Sequence, residues 1–141
     1  MQIRDVMTPN PRCVSPDDTI QNAARIMRDE DTGVVPVVKD GRAVGVVTDR
    51  DIVVRGVAED GQLNRPIREI VSRSLVSATP DMSTREAAEL MSEHQVRRLP
   101  VVEGERLVGI VSIGDLAVKE ERDNRVGDAL QHISEGVKER E

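Results

Sequence analysis

An α/β fold built twice is what this sequence predicts, and three observations carry it. The chain repeats itself without a gap, pairs of β-branched runs flank turn signals, and a helix-periodic apolar face precedes each pair. Ile3-Arg4-Asp5-Val6 aligns with Ile67-Arg68-Glu69-Ile70, an offset of 64 residues (67 − 3). The same offset matches Pro16-Asp17 with Pro80-Asp81, Ala23-Ala24 with Ala87-Ala88 and Met27 with Met91. It also matches Pro36-Val37-Val38 with Pro100-Val101-Val102, Gly45 with Gly109 and Asp51 with Asp115.

Taken in order, Ile3 to Met7 reads as a short helical lead-in closed by the turn Thr8-Pro9-Asn10-Pro11. Cys13-Val14 is a brief strand, in which Cys13 is expected as a small buried hydrophobe. Ser15-Pro16-Asp17-Asp18-Thr19 opens a helix with Asp18 or Thr19 as its cap. Ile20, Ala23, Ala24 and Met27 then mark its buried face, and the Arg28-Asp29-Glu30-Asp31 run is its solvated end. Val34 to Lys39 and Ala43 to Thr48 are strands of a hairpin turning at Asp40-Gly41. Pro36 has no N–H, so it should start its strand or lie where the sheet is unpaired. A helix from Asp49 ends at Gly56, and the polar stretch 57–66 links the halves.

The second half repeats this order. Ile67 to Val71 is the lead-in, Leu75 to Ser77 the short strand, and Thr79-Pro80-Asp81-Met82-Ser83 opens a helix to about His94. Arg98 to Glu103 and Arg106 to Val111 are strands, and Ile113 to Lys119 is the last helix of the repeat. Residues 120–141 are not repeated. Val126, Leu130, Ile133 and Val137 form a helical seam there, capped by Asp123 or Asn124. The expected division is therefore 1–56, the linker 57–66, 67–119, and a tail of 120–141 carrying an amphipathic helix.

The chemistry concentrates in Gly45-Val46-Val47-Thr48-Asp49-Arg50-Asp51 and its echo Gly109-Ile110-Val111-Ser112-Ile113-Gly114-Asp115. Each copy is an apolar strand ending in a hydroxyl residue, followed by a helix start with Asp three positions on. The hydroxyl and the unpaired N–H groups of a helix start suit phosphate oxygens. The Asp carboxylate accepts without donating, so it suits the two hydroxyls of a ribose. The same spacing is also that of a capping box, in which these side chains serve only their own helix.

These two motifs, with Gln95-Val96-Arg97-Arg98-Leu99-Pro100-Val101, resemble the CBS domain family over residues 1–118. The resemblance implies two pseudo-symmetric CBS repeats forming one Bateman module, each a small three-stranded sheet packed with two helices, plus the C-terminal helix. It implies an adenosine-containing ligand (AMP, ADP, ATP, NAD or S-adenosylmethionine) in the cleft between repeats, and an energy-sensing type of regulation passed to a partner protein. Ser15, Thr79 and their neighbouring backbone, with Val35 and Leu99, would line the base pockets, Thr48 and Ser112 would face phosphate, Asp51 and Asp115 would hold ribose, and Pro36, Arg50 and Pro100 would belong to the same nucleotide sites. Arg97 and Arg98 would reach the phosphates of the nucleotide held by Asp51, since a guanidinium binds phosphate oxygens in pairs. Their counterparts Gly33 and Val34 carry no charge, and Arg50 faces Gly114 in the alignment, so the two sites are expected to differ. The rival is a protein-interaction scaffold that binds no nucleotide.

What the composition excludes is consistent with a binder. The 141 residues carry a net charge of −6 and a pI near 5.0, a poor match to nucleic acid or anionic membrane. Phe, Tyr and Trp are absent, which removes the usual base-stacking platform. No apolar run is long enough to span a bilayer and no signal-peptide pattern begins the chain, so a cytoplasmic place is expected. His94 and His132 stand without partners at metal-ligand spacing, and Cys13 has no basic partner in the sequence. No catalytic residue, metal or resident cofactor is expected. The tail stripe is marginal alone in water, so it docks on its own chain or on a second copy. A homodimer is expected to use it.

Overall fold

The computed structural model describes residues 1–72, 75–119 and Ile133, with the side chains of Val118 and Lys119 left aside. Its elements are β1 (Thr8–Pro9), α1 (Ile20–Glu30), β2 (Val34–Lys39), β3 (Arg42–Thr48) and α2 (Asp49–Asp51), then α3 (Thr84–His94), β4 (Arg98–Glu103), β5 (Arg106–Ser112) and α4 (Ile113–Lys119). Single 3-10 turns at Ile3–Asp5 and Ile67–Glu69 stand where the helical lead-ins were expected.

The described residues fall into two compact units. One, here the Thr48 unit, takes its residues from Pro11–Leu75 with Glu105–Leu107; the other, the Ser112 unit, takes them from Met1–Asn10, Val76–Gly104 and Val108 onward. Each unit buries its own apolar cluster. Val14, Ile20, Ala23, Val35, Val37, Val47, Ile67 and Ile70 lie in the first, and Ile3, Ala87, Ala88, Met91, Leu99, Val101, Val111 and Leu116 in the second.

A compact unit is thus not a sequence repeat, because the lead-ins are exchanged. In the Ser112 unit Ile3 N donates to Met82 O at 2.9 Å and Arg4 N to Pro80 O at 3.0 Å. In the Thr48 unit Ile67 N donates to Asp18 O at 2.8 Å and Arg68 N to Pro16 O at 2.9 Å. The residues just before each lead-in also complete the first turn of each long helix, where four N–H groups lack an internal partner. Ile20 N donates to Arg65 O and Gln21 N to Leu63 O, while Thr84 N donates to Met1 O. Thr19 caps α1 by accepting from Asn22 N, and Ser83 caps α3 by accepting from Glu86 N. Both helices end on a left-handed residue, Asp31 (φ 50°) and Gln95 (φ 55°).

The hairpins position the strand ends from which the site candidates are built. β2 and β3 pair antiparallel from Val34 opposite Thr48 to Lys39 opposite Arg42, with a bulge at Val37/Val38. Asp40 (φ 52°) and Gly41 (φ 79°) supply the two positive φ values that its tight turn demands. β4 pairs β5 in the other unit. The expected third strand of each sheet is reduced to one parallel bridge, Val14 with Val37 and Ala78 with Val101. Val14 N donates to Pro36 O, and Val38 N donates to Val14 O. Strand alternation therefore aims the missing N–H of Pro36 at the same side as Val38, one place before the bridge. Pro36 lies inside its strand, and it confines that pairing to a single residue. Pro100 repeats the arrangement with Ala78.

The helix expected from Asp49 to Gly56 is only one α-turn, continued as a π-helix over Ile52–Val57 with Ala58 N bonded to Val53 O at 2.9 Å. The Arg65 guanidinium closes it, donating to Arg55 O at 3.0 Å and Gly56 O at 3.3 Å. Of the tail seam, Val126, Leu130 and Val137 lie outside the described residues. Ile133 is helical and buried in the cluster of the Ser112 unit.

Candidate functional site

Two strand-to-helix corners form the site candidates, one in each unit. At the first, Thr48 is extended (φ −111°, ψ 162°) and the helix begins at Asp49. Thr48 Oγ1 accepts from Asp51 N at 3.0 Å, and Asp51 Oδ2 accepts from Thr48 N at 2.9 Å. At the second, Ser112 Oγ accepts from Asp115 N at 3.1 Å, and Asp115 Oδ2 accepts from Ser112 N at 3.0 Å. Both are complete capping boxes, as the spacing allowed.

The box does not exhaust these side chains. Each hydroxyl accepts within the box, and its own proton is donated to no described residue. Each carboxylate uses Oδ2 only, and Oδ1 of Asp51 and of Asp115 receives no hydrogen bond among the described residues. One carboxylate oxygen with two lone pairs is enough to accept from two vicinal hydroxyls. All four side chains are half-buried, open enough to meet a ligand. The capping and ligand readings, which compete in sequence, are compatible in geometry.

The Thr48 unit also holds Ser15, Val35, Pro36 and Arg50, and the Ser112 unit holds Thr79, Arg97, Arg98, Leu99 and Pro100. Ser15 and Thr79 are exposed, each directly after the residue that bridges to the hairpin. Ser15 N donates to Asp18 Oδ2 at 2.8 Å. The Thr79 hydroxyl donates to Asp81 Oδ1 at 2.7 Å, which holds that carboxyl below its usual range. Val35, Pro36, Leu99 and Pro100 are buried, so it is their backbone that a base would meet. Arg50 and Arg97 are exposed and Arg98 is half-buried.

Sequence reasoning noted Gly33 only as uncharged and gave Asp49 no role. A Cβ added to Gly33 would sit 3.0 Å from Asp49 Oδ2, so the carboxylate stands where a side chain at 33 would pass. The available signal was that Asp49 aligns with the uncharged Ile113. Cys13 corrects an expectation: Val14 points into the core, so strand alternation leaves Cys13 exposed. Partial desolvation and the Asp18 carboxylate raise its thiol pKa, which lowers its thiolate fraction. His94 is exposed at the end of α3, and no cluster of three metal-ligating side chains occurs among the described residues. Nor is any described helix long and apolar enough to cross a membrane.

Comparison with known proteins shows the family. The family model described as "CBS domain" matches residues 3–56 and 67–120. The CBS domain-containing protein YhcV of Bacillus subtilis is 45% identical over 132 residues, covering 94% of each chain. Among solved structures, Hypoxic Response Protein I with two coordinated zinc ions is similar at TM-score 0.77 and 38% identity, over 84% of this chain and 98% of that one. CBSX2 in complex with AMP gives 0.74 and 27%, over 86% and 98%. The CBS domain pair of MJ0100, in complex with 5-methylthioadenosine and S-adenosyl-L-methionine, gives 0.75 and 27%, over 86% and 96%.

Proposed function

Since the chain belongs to the CBS domain family, with two copies of the domain, we propose that it is a regulatory module that binds adenosine-containing ligands and is not itself an enzyme. The observation that carries this is the corner geometry, present twice: at each helix start, a hydroxyl that donates to no described residue and a carboxylate oxygen that accepts from none. Related CBS pairs holding AMP, S-adenosylmethionine and methylthioadenosine support the ligand class. In this reading the Thr48 and Ser112 hydroxyls donate to ligand oxygens, Asp51 and Asp115 meet ribose, and the backbone of Ser15, Val35, Thr79 and Leu99 meets the base.

The complete capping boxes favour one rival, a scaffold that signals through protein contacts alone. Asp51→Glu separates the two. Glu at the third helical position preserves a capping box, so stability should stay within about 0.5 kcal/mol. One added methylene displaces the outward oxygen, and nucleotide affinity measured by calorimetry should fall at least about tenfold. A thermal-shift series with AMP, ADP, ATP, NAD and S-adenosylmethionine comes first. A ligand at about 100 times its dissociation constant adds ~2.7 kcal/mol, several degrees in melting temperature. No shift with any of them, or an Asp51→Glu chain that binds as tightly as the native one, sinks the nucleotide reading.

The bound state would be relayed to a regulated protein, and a homodimer would present the module to it. Ile133, the one described residue beyond Lys119, is buried in the cluster of the Ser112 unit. Truncation after Glu120 should therefore lower stability by about 2 kcal/mol, the range for losing a buried aliphatic side chain. Light scattering on the same protein reads the association state. Unchanged melting would show that Ile133 adds nothing to the core, and undiminished association that the tail does not hold a dimer together.

A further inference from the structure

The two corners are built alike in backbone but oppositely in charge. Asp49 N donates to Gly33 O at 2.9 Å, and at the aligned positions Ile113 N donates to Arg97 O at 2.8 Å. The residue before the first strand of the hairpin and the first residue of the helix are therefore neighbours in both units. In the Ser112 unit that pair is a cation beside an apolar residue. In the Thr48 unit it is a glycine beside a carboxylate. The carboxylate is also aimed: Asp49 Oδ1 accepts from Arg50 N at 2.8 Å, and Oδ2 lies 3.0 Å from the point where a Cβ on Gly33 would be. Counting ionised side chains at aligned positions, Asp49, Arg50 and Asp51 sum to −1 (−1, +1, −1), whereas Arg97, Arg98 and Asp115 sum to +1 (+1, +1, −1).

We propose that Asp49 is a specificity-determining residue: it repels phosphate at the start of β2, so that this position serves neutral or cationic adenosine compounds while the start of β4 serves phosphorylated ones. The inference rests on the nucleotide reading above and adds the ligand class at each position. Any phosphate brought to the start of β2 meets a carboxylate that Gly33 offers no cation to offset. One brought to the start of β4 meets two guanidinium groups, which bind phosphate oxygens in pairs. Asp49 is exposed, so its field is screened and its effect is moderate and dependent on salt.

The test is calorimetric titration of the full chain with AMP and with adenosine, at low and at high ionic strength. Asp49→Asn removes the charge and keeps an oxygen for Arg50 N. It should strengthen AMP binding at the weaker site, or reveal a second AMP equivalent, by about 3- to 10-fold at low salt. The gain should shrink at high salt while adenosine affinity stays unchanged. If AMP and adenosine change by the same factor, or neither changes, Asp49 does not select on charge and the proposal fails. A native chain that binds neither compound overturns the nucleotide reading, and this inference with it.

Discussion

Gly45→Ala should destabilise the protein by about 3 kcal/mol or more, a fall of roughly 10 °C in melting temperature for a chain of this size. The new Cβ would lie 2.4 Å from the Ser72 carbonyl oxygen, far inside van der Waals contact. That oxygen belongs to the backbone and cannot swing aside. Relief requires parting the Val46–Ser72 pair, in which each residue donates to the other at 3.1 to 3.2 Å. Gly109→Ala supplies the comparison. Its Cβ meets Met7 Sδ at 2.6 Å and the Thr8 carbonyl oxygen at 3.0 Å. Methionine is flexible and yields, so a loss of about 1 to 2 kcal/mol is expected. Thermal or urea unfolding of both variants checks the order. Two equally small losses would show that the lead-ins do not press on these glycines. The point bears on function too, because glycines within a phosphate-site motif invite a ligand explanation. Here they admit a neighbouring stretch of backbone.

Arg97→Ala/Arg98→Ala should cost AMP affinity at least tenfold at one of its sites and leave adenosine affinity unchanged. A charge-assisted contact contributes about 1.5 to 3 kcal/mol, and the exposure of Arg97 takes the expectation to the lower end of the doubled range. Both arginines lie where the Ser112 unit joins strand to helix, with Arg97 O holding Ile113 N. Side-chain truncation keeps that backbone bond, so melting should change little. Calorimetry with AMP and adenosine decides: a parallel loss of both ligands would mean a general disturbance of the site, and no loss would mean that the arginines are ordinary surface charge.

The hydroxyl–Asp spacing was open to two interpretations in sequence, since a box and a ligand site ask for the same residues. Only the coordinates show that Oδ2 is used and that Oδ1 meets no donor among the described residues. Cys13 illustrates a different limit. Two-residue strands have no periodicity to declare which member faces inward, and Val14 took the core.

Local pattern was sufficient for much of the chain. The repeat, α1, α3, both hairpins, the cap at Thr19 and α4 all follow from apolar periodicity, turn residues and capping chemistry, which act within a few residues. The tertiary structure alone decided the exchange of lead-ins, because it rests on backbone bonds between residues such as Ile3 and Met82 that no composition records. It decided the shortening of α2 to a single α-turn before the π-helix, closed by Arg65 from beyond the helix. It decided the meeting of Gly33 with Asp49, sixteen residues apart in sequence (49 − 33) and neighbours through one hydrogen bond. Each depends on which surfaces come together when apolar area leaves water, and that force has no direction until the backbone is in place.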